Sequence, residues 1–249
     1  MVNIFDLAKL RLNKFSQIYL CLSVKSVSFV FKQKNMHPKI CLTIGNVTYD
    51  EALTHLSNVS LAEIRMDLLD FSDEQFSSVF SRNQYTIATY RSDNHFDVLF
   101  SKYRQAIELG CTCVDIDINV NEVYRDKIAD LAHSMNRKVI LSYHNYEKTP
   151  LKKQLTQTIE KMFSSGADIA KLACMAKSLD DCARILGFYE NHTKLVAFCM
   201  GEIGKITRLS APLLGAPFIY ASIKGKEVAP GQMSYDEVES FLKKMDARS

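Results

Sequence analysis

Short apolar or alternating segments recur about every 25 residues from residue 39 onward, and amphipathic helical patterns separate them. Each segment has the length of a β-strand, and the intervals suit the helical connections that parallel strands require. The predicted strands are 39–44, 62–67, 85–91, 113–118, 138–144, 168–173, 194–200 and 217–223. Eight such units predict an α/β fold, a (β/α)8 TIM barrel in a single domain.

Helical spacing of apolar residues and capping residues indicate where some of the connecting helices lie. The spacing is clear over 97–109, 151–163 and 236–245. Thr149 and Pro150 precede the second of these ranges and predict an N-cap followed by the first helical position. A further helix, predicted to begin near Glu202, carries Arg208.

Polar side chains occupy the ends of several predicted strands. In the segment EIRMD, Glu63, Arg65 and Asp67 lie on one face of the strand, and Ile64 and Met66 lie on the other. In a barrel enclosed by helices, such a polar face points into the mouth, where the active sites of these folds lie. The charged residues near strand ends are Arg65, Arg91, Asp117, His144 and Lys171. Their convergence predicts an enzyme for a small anionic substrate.

Composition, charge and cysteine spacing exclude some classes of function. A chain of 249 residues is long enough for one barrel. A net charge of +3 without a long basic run does not indicate binding to nucleic acid. The seven cysteines are scattered and form no CxxC pair, which favours buried thiols in a reducing cytoplasm. No histidine spacing suited to zinc accompanies His144, so we expect no zinc site.

Residues 1–35 do not fit the barrel pattern. We expect them to form an N-terminal extension and residues 36–249 to form the barrel domain. The apolar stretch 17–32 is short and interrupted by Lys25, so we expect no membrane span. Basic residues precede this stretch, but no small-residue cleavage site follows it, which argues against a signal peptide.

Lys171 has two interpretations. It lies among apolar residues in a strand that should be internal, where nearby cations such as Arg65 and Arg91 would favour the neutral amine needed for a Schiff base. Alternatively, it forms a structural ion pair with Glu63 or Asp117. The strand alone does not separate the two.

The other candidates also have both functional and structural interpretations. His144 is either a general acid/base or a hydrogen-bonded histidine at the rim of the barrel. Glu63 and Arg65 either bind substrate hydroxyls or form a salt-bridge lattice. Arg208 either binds a carboxylate or lies on a solvated helix face, and Gln232 is either a ligand contact or a loop residue.

These residues, in this order, resemble the type I 3-dehydroquinate dehydratases, the Schiff-base dehydroquinases of the shikimate pathway. The matching segments are 63–67, 89–92, 142–150, 167–178, 200–208 and 229–234. The resemblance implies a (β/α)8 barrel, usually a homodimer, that needs no metal or cofactor. It further implies an enzyme of aromatic amino acid biosynthesis that dehydrates 3-dehydroquinate to 3-dehydroshikimate.

The resemblance also implies a role for each candidate. By position, Lys171 is similar to the Schiff-base lysine and His144 to the general acid/base. The residues similar to those that bind substrate are Glu63, Arg65 and Arg91 for the ring hydroxyls, and Arg208 and Gln232 for the carboxylate side and the closing loop.

Three positions depart from the family pattern. His95 stands where an acidic residue often supports the catalytic histidine, Asn145 replaces an aspartate, and Val228 replaces a serine or threonine. These departures give weight to one alternative, a non-catalytic or regulatory barrel that binds a shikimate-pathway ligand. The other alternative is a different Schiff-base enzyme such as an aldolase, which would share Lys171.

Overall fold

Parallel strands form a nearly closed barrel in the computed structural model, which describes residues 39–81, 85–91 and 96–246. Within these residues the eight strands are β1 (Lys39–Ile44), β2 (Leu61–Arg65), β3 (Tyr85–Thr89), β4 (Cys113–Asp117), β5 (Lys138–Asn145), β6 (Ile169–Met175), β7 (Leu195–Met200) and β8 (Phe218–Ser222). Each pairs in parallel with its sequence neighbour from β1 to β7, and β1 also pairs with β8. The predicted (β/α)8 fold is therefore confirmed.

A helix follows every strand and covers the outside of the barrel. The helices are α1 (Tyr49–Leu56), α2 (Asp73–Phe80), α3 (Phe96–Glu108), α4 (Glu122–Ser134), α5 (Lys152–Ser164), α6 (Leu179–Leu186), α7 (Lys205–Ser210) and α8 (Tyr235–Asp246). Short 3-10 helices span Met66–Leu68, Gly187–Glu190 and Ala211–Leu214. Capping boxes begin α1 at Thr48 and α2 at Ser72, so local sequence fixes these starts.

Apolar residues alternate with the polar residues of the strands and pack under the helices. Val114, Ile116, Leu141 and Leu172 are all fully buried. Because successive strand residues point to opposite sides, this packing turns their polar neighbours toward the barrel axis. The outer core thus fixes the direction in which the candidate site residues point.

Several predicted boundaries differ from the structure. The predicted strand 62–67 ends at Arg65, where the chain turns into a 3-10 helix. Thr149 does not cap α5, because its hydroxyl donates instead to the carbonyl of Met175 at 2.9 Å. The helix carrying Arg208 begins at Lys205 rather than near Glu202.

Residues 1–35 and His95 lie outside the described residues, so the predicted domain boundary remains a prediction. Among the residues that the structure describes, no helix is both long enough and apolar enough to cross a membrane.

Candidate active site

All seven candidate site residues line one cavity at the carboxyl-terminal end of the barrel. They are Glu63, Arg65, Arg91, His144, Lys171, Arg208 and Gln232. The same cavity is lined by threonines, by the rings of Phe198 and Tyr220, and by Val228. Elements distant in sequence, namely strands, the residues that follow them and the helix that carries Arg208, thus bring one imidazole, one amine and three guanidinium groups to one cavity.

Lys171 lies inside β6, where its side chain is almost fully buried. Its Nζ is 2.8 Å from Oδ2 of Asp115, 3.8 Å from Oε1 of Glu63 and 3.9 Å from the ring centroid of Tyr220. Carboxylates and an aromatic face are partners of an ammonium group. The ion pair expected with Glu63 or Asp117 is therefore centred on Asp115 instead.

Asp115 is the buried carboxylate that the sequence analysis did not single out. It is fully buried, and its Oδ1 accepts hydrogen bonds from Arg91 Nη2 and Ser142 Oγ. Burial alone would raise the pKa of Asp115, but the charges of Arg91 and Lys171 hold that pKa well below its usual range. A signal was present, because the alternation in VDIDI places Asp115 on the same face as Asp117.

Arg91 is held at the wall of the cavity by the same carboxylate. Its Nη1 donates to the backbone carbonyl of Asp115 at 2.9 Å, and its Nη2 also donates to Ser142 Oγ at 2.8 Å. Burial alone would lower the pKa of Arg91, but the charge of Asp115 outweighs it and raises the pKa. The guanidinium therefore stays charged in a fixed orientation.

His144 is mostly buried near the end of β5, and its ring points into the cavity. Its Nδ1 is 2.9 Å from Oδ2 of Asp117, at the end of β4. Burial lowers the pKa of His144, and although the bond to Asp117 opposes this effect, Arg91 and Lys171 lower the pKa further. The imidazole is thus neutral near pH 7 and available as a base.

Glu63 and Arg65 do not form the salt-bridge lattice considered above. Glu63 accepts hydrogen bonds from the hydroxyls of Thr43 and Thr89, each at 2.9 Å. Arg65 binds Asp67 through two parallel bonds of 3.0 and 2.7 Å. Each charged group therefore has its own support and faces the cavity with a fixed orientation.

Arg208 differs from the other cations because no carboxylate binds it within the described residues. It is 1% exposed, its guanidinium lies 4.2 Å over the ring of Phe198, and its Nη2 donates to the carbonyl of Pro230 at 3.5 Å. Its Nε is buried, and no described residue supplies an acceptor for it. Burial lowers the pKa of Arg208 to about 10, so the group remains charged at neutral pH. A desolvated cation of this kind is suited to binding an anion.

The loop after β8 lies directly on the segment after β7. Gly231 has a positive φ of 68°, and a Cβ at this position would lie 2.3 Å from the carbonyl oxygen of Gly201. Both ends of the Gln232 side-chain amide form hydrogen bonds. Its Oε1 accepts from the backbone N–H of Val228 at 3.0 Å, and its Nε2 donates to Thr43 Oγ1 at 3.2 Å. Gln232 thus ties the loop to β1 and lines the cavity.

No group of three or more histidine, cysteine, aspartate or glutamate side chains within the described ranges is arranged to hold a metal ion. The acidic side chains at the cavity already bind cations or hydroxyls of the protein. The groups of the cavity that are available for chemistry or for substrate binding are the amine of Lys171, the imidazole of His144 and the guanidinium groups of the arginines.

Comparison with known proteins identifies an enzyme family to which this chain is similar. A family model described as Type I 3-dehydroquinase matches residues 40–249. The 3-dehydroquinate dehydratase of Methanocaldococcus jannaschii is 31% identical over 226 residues, covering 84% of this chain and 100% of that protein. The 3-dehydroquinate dehydratase of Pyrococcus abyssi is 33% identical over 193 residues, covering 75% of this chain and 88% of that protein.

Solved structures show the same barrel. The 3-dehydroquinate dehydratase of Aquifex aeolicus superimposes with a TM-score of 0.71 at 26% identity, covering 83% of this chain and 98% of that one. The type I enzyme of Clostridium difficile gives a TM-score of 0.75 at 20% identity, covering 86% of this chain and 94% of that one. The fold and the order of its elements are thus shared over nearly the whole barrel.

Proposed function

This chain belongs to the type I 3-dehydroquinase family, and we propose that it dehydrates 3-dehydroquinate to 3-dehydroshikimate through a Schiff base on Lys171. The observation that carries the proposal is the meeting of three groups in one cavity: the buried amine of Lys171, the imidazole of His144 and the guanidinium of Arg208, which no described carboxylate binds. These are a nucleophile, a base and an anion-binding group.

Lys171 first condenses with the ring ketone. Only an unprotonated amine can attack the ketone, and the imidazole of His144, which lines the same cavity, is the base that accepts the proton. The protonated imidazole then returns a proton as water leaves the carbinolamine. The product of these steps is a protonated imine that can accept electrons from the neighbouring carbon.

His144 then removes a proton from the carbon next to the imine, which the imine has acidified. The same imidazolium donates a proton to the departing hydroxyl, and water leaves. One group serves both transfers, as expected where the two lie on one face of the ring. Hydrolysis of the product imine returns the amine, so the cycle releases one water molecule overall.

Arg208 binds the substrate carboxylate in this proposal, while Glu63, Arg65 and Arg91 contact the ring hydroxyls. Arg65 and Arg91 are held by Asp67 and Asp115, so their charges are partly neutralised. Arg208 has no such partner in the part of the chain that the structure describes. Binding energy from this remote contact positions the reacting carbon over His144.

Full-length protein is expected to convert 3-dehydroquinate to 3-dehydroshikimate at a rate that EDTA does not change. Amine and imidazole groups carry every step in this proposal, and the described residues of the cavity include no set of metal ligands. Chromatography of the products, with and without the chelator, tests both statements. Binding of 3-dehydroquinate without turnover would identify a regulatory barrel, and cleavage of a carbon–carbon bond would identify an aldolase. A loss of rate in EDTA that one metal restores would indicate a metal-dependent enzyme.

Arg208→Met is expected to lower kcat/KM about 10- to 150-fold while the melting temperature stays the same or rises. Hydrogen bonds to a charged group contribute about 1.5–3 kcal/mol each, and removing a buried charge that no described carboxylate binds relieves its desolvation. Steady-state kinetics and thermal denaturation measure the two effects. Arg104→Gln, on the exposed face of α3, is the control. A lower melting temperature with normal kinetics would make Arg208 a structural residue.

We also propose a cytoplasmic homodimer. The buried free thiols of the described cysteines suit a reducing compartment. Leu179, Ile203 and Ile206 are exposed apolar side chains at or near the starts of α6 and α7, two helices in contact, and they give a second copy an apolar surface. Light scattering of the native protein distinguishes a dimer from a monomer.

A further inference from the structure

The carboxylate of Asp117 makes the one hydrogen bond that the structure shows to the ring of His144 within the described residues. Asp117 Oδ2 lies 2.9 Å from Nδ1, and Asp117 Oδ1 accepts the backbone N–H of Asn119, also at 2.9 Å. The second bond fixes the rotation of the carboxylate. One oxygen is therefore held toward the chain and the other toward the imidazole.

The bond to Asp117 determines which ring nitrogen faces the cavity. A carboxylate only accepts hydrogen bonds, so Nδ1 must carry the proton, and in the neutral ring Nε2 is then left with its lone pair. Burial would raise the pKa of Asp117, but its bond to His144 and the charge of Arg91 lower that pKa, so the group stays ionised. Nε2 is the atom left to accept a proton from substrate.

Support for His144 comes from a different strand than the sequence suggested. An acidic residue was expected after β3, where His95 stands outside the described residues, and Asn145 replaces an aspartate beside the histidine. Asn145 instead accepts from the backbone N–H groups of Glu147 and Lys148, which closes the loop after β5. Asp117 thus supplies a carboxylate that neither of those positions provides among the described contacts.

We propose that Asp117 is a positioning residue for the dehydration. It holds His144 in the tautomer whose Nε2 accepts the substrate proton, and it stabilises the imidazolium formed by that transfer. The inference rests on the proposed function for its role in turnover, but the tautomer of the resting enzyme is a property of the protein alone. Asp117 acts through His144 and touches no reacting atom.

The other charged groups around His144 make the effect of Asp117 specific. Arg91 and Lys171 lower the pKa of the ring and Asp115 raises it, while the ring of Tyr146 stacks on it with centroids 6.3 Å apart. None of these groups has a bond to Nδ1 within the described residues. Loss of the Asp117 charge therefore lowers the pKa of His144 further and also frees the tautomer.

Asp117→Asn is the sharpest test, because the amide keeps one acceptor oxygen for the backbone of Asn119. That bond turns the amide NH2 toward His144, so Nδ1 must accept and Nε2 must carry the proton, the wrong tautomer for a base. We expect kcat to fall about 10²-fold or more, with KM changing only a few-fold. The acid limb of the remaining activity should move to lower pH, since the ring has lost its anionic partner.

Nitrogen-15 NMR of full-length protein labelled at histidine reads the tautomer directly, with the His144 signals assigned by their loss in His144→Ala. The wild type should show a protonated Nδ1 and the Asp117→Asn protein a protonated Nε2. The matched control is Asp168→Asn, which alters a second aspartate–histidine pair, with His133 at 3.1 Å, before the start of β6. It should leave kcat and the acid limb unchanged.

Each outcome has a separate meaning. An unchanged tautomer, a normal kcat in Asp117→Asn, or an equal loss in Asp168→Asn would overturn the role of Asp117. If wild-type protein fails to dehydrate 3-dehydroquinate but the tautomer still reverses in Asp117→Asn, the proposed function fails and the positioning contact stands. Borohydride trapping of substrate on Lys171 should persist in Asp117→Asn, which shows that the variant is folded.

Discussion

Lys171→Ala protein is expected to lose turnover completely and to form no covalent adduct when 3-dehydroquinate and borohydride are added together. The wild type should gain a single adduct at Lys171, because borohydride reduces the imine that forms there. No other described lysine lies inside a barrel strand with two carboxylates and an aromatic face around its amine. Intact mass and peptide mapping measure the adduct, and product formation measures turnover.

Lys171→Arg is the matched control, because it separates the nucleophile from the ion pair. The guanidinium keeps a positive charge for Asp115 and Glu63 but forms no imine. If the lysine is structural, the arginine variant should retain activity and only the alanine variant should lose it, together with stability. If the lysine is the nucleophile, both variants lose turnover. An adduct on another lysine, or none in the wild type, would contradict the Schiff-base assignment.

His144→Ala protein is expected to lose turnover by at least about 10²-fold while the borohydride adduct still forms, more slowly than in the wild type. The range for a lost general acid/base is about 10²–10⁴-fold. The amine of Lys171 remains able to condense, but the proton on the neighbouring carbon has no acceptor. Turnover, adduct mass and melting temperature on the same sample separate a catalytic from a structural histidine.

The pH dependence follows from the environment of His144. Burial and two neighbouring cations lower its pKa, so the neutral base persists below the pH at which an ordinary histidine takes up a proton. Activity should therefore fall on the acid side at a pH below about 6.5, the ordinary histidine value. His133→Ala, which removes a half-exposed histidine bound to Asp168, is the control.

Near-normal turnover in His144→Ala would show that another base acts, and His95 would be the next candidate.

The sequence pattern was sufficient to predict the barrel and to place Lys171 and His144 at its mouth. Strand periodicity assigns each residue to a face, and parallel strands bring their carboxyl ends together. The roles of these residues came from the resemblance to a family and remain to be tested. Strand ends were less predictable, because β2 turns into a 3-10 helix while its alternating pattern continues through Asp67.

Contacts across the barrel could not be predicted from periodicity. Asp115 meets Arg91, Ser142 and Lys171, which lie 24, 27 and 56 residues away in the chain. These contacts depend on how strongly the barrel curves and on the stagger between strands, neither of which a local pattern contains. That no described carboxylate binds Arg208 could not be predicted from the sequence either, because it depends on all the residues that surround the side chain in the fold.

The close contact between Gly231 and Gly201 limits how this loop can evolve. Any side chain at position 231 would collide with a backbone carbonyl and would require an unfavourable φ. We therefore expect only glycine to be tolerated at this position. Val228 donates its backbone N–H to Gln232 and also lines the cavity. A substitution at Val228 can therefore change the lining of the cavity while the backbone hydrogen bond that holds Gln232 stays in place.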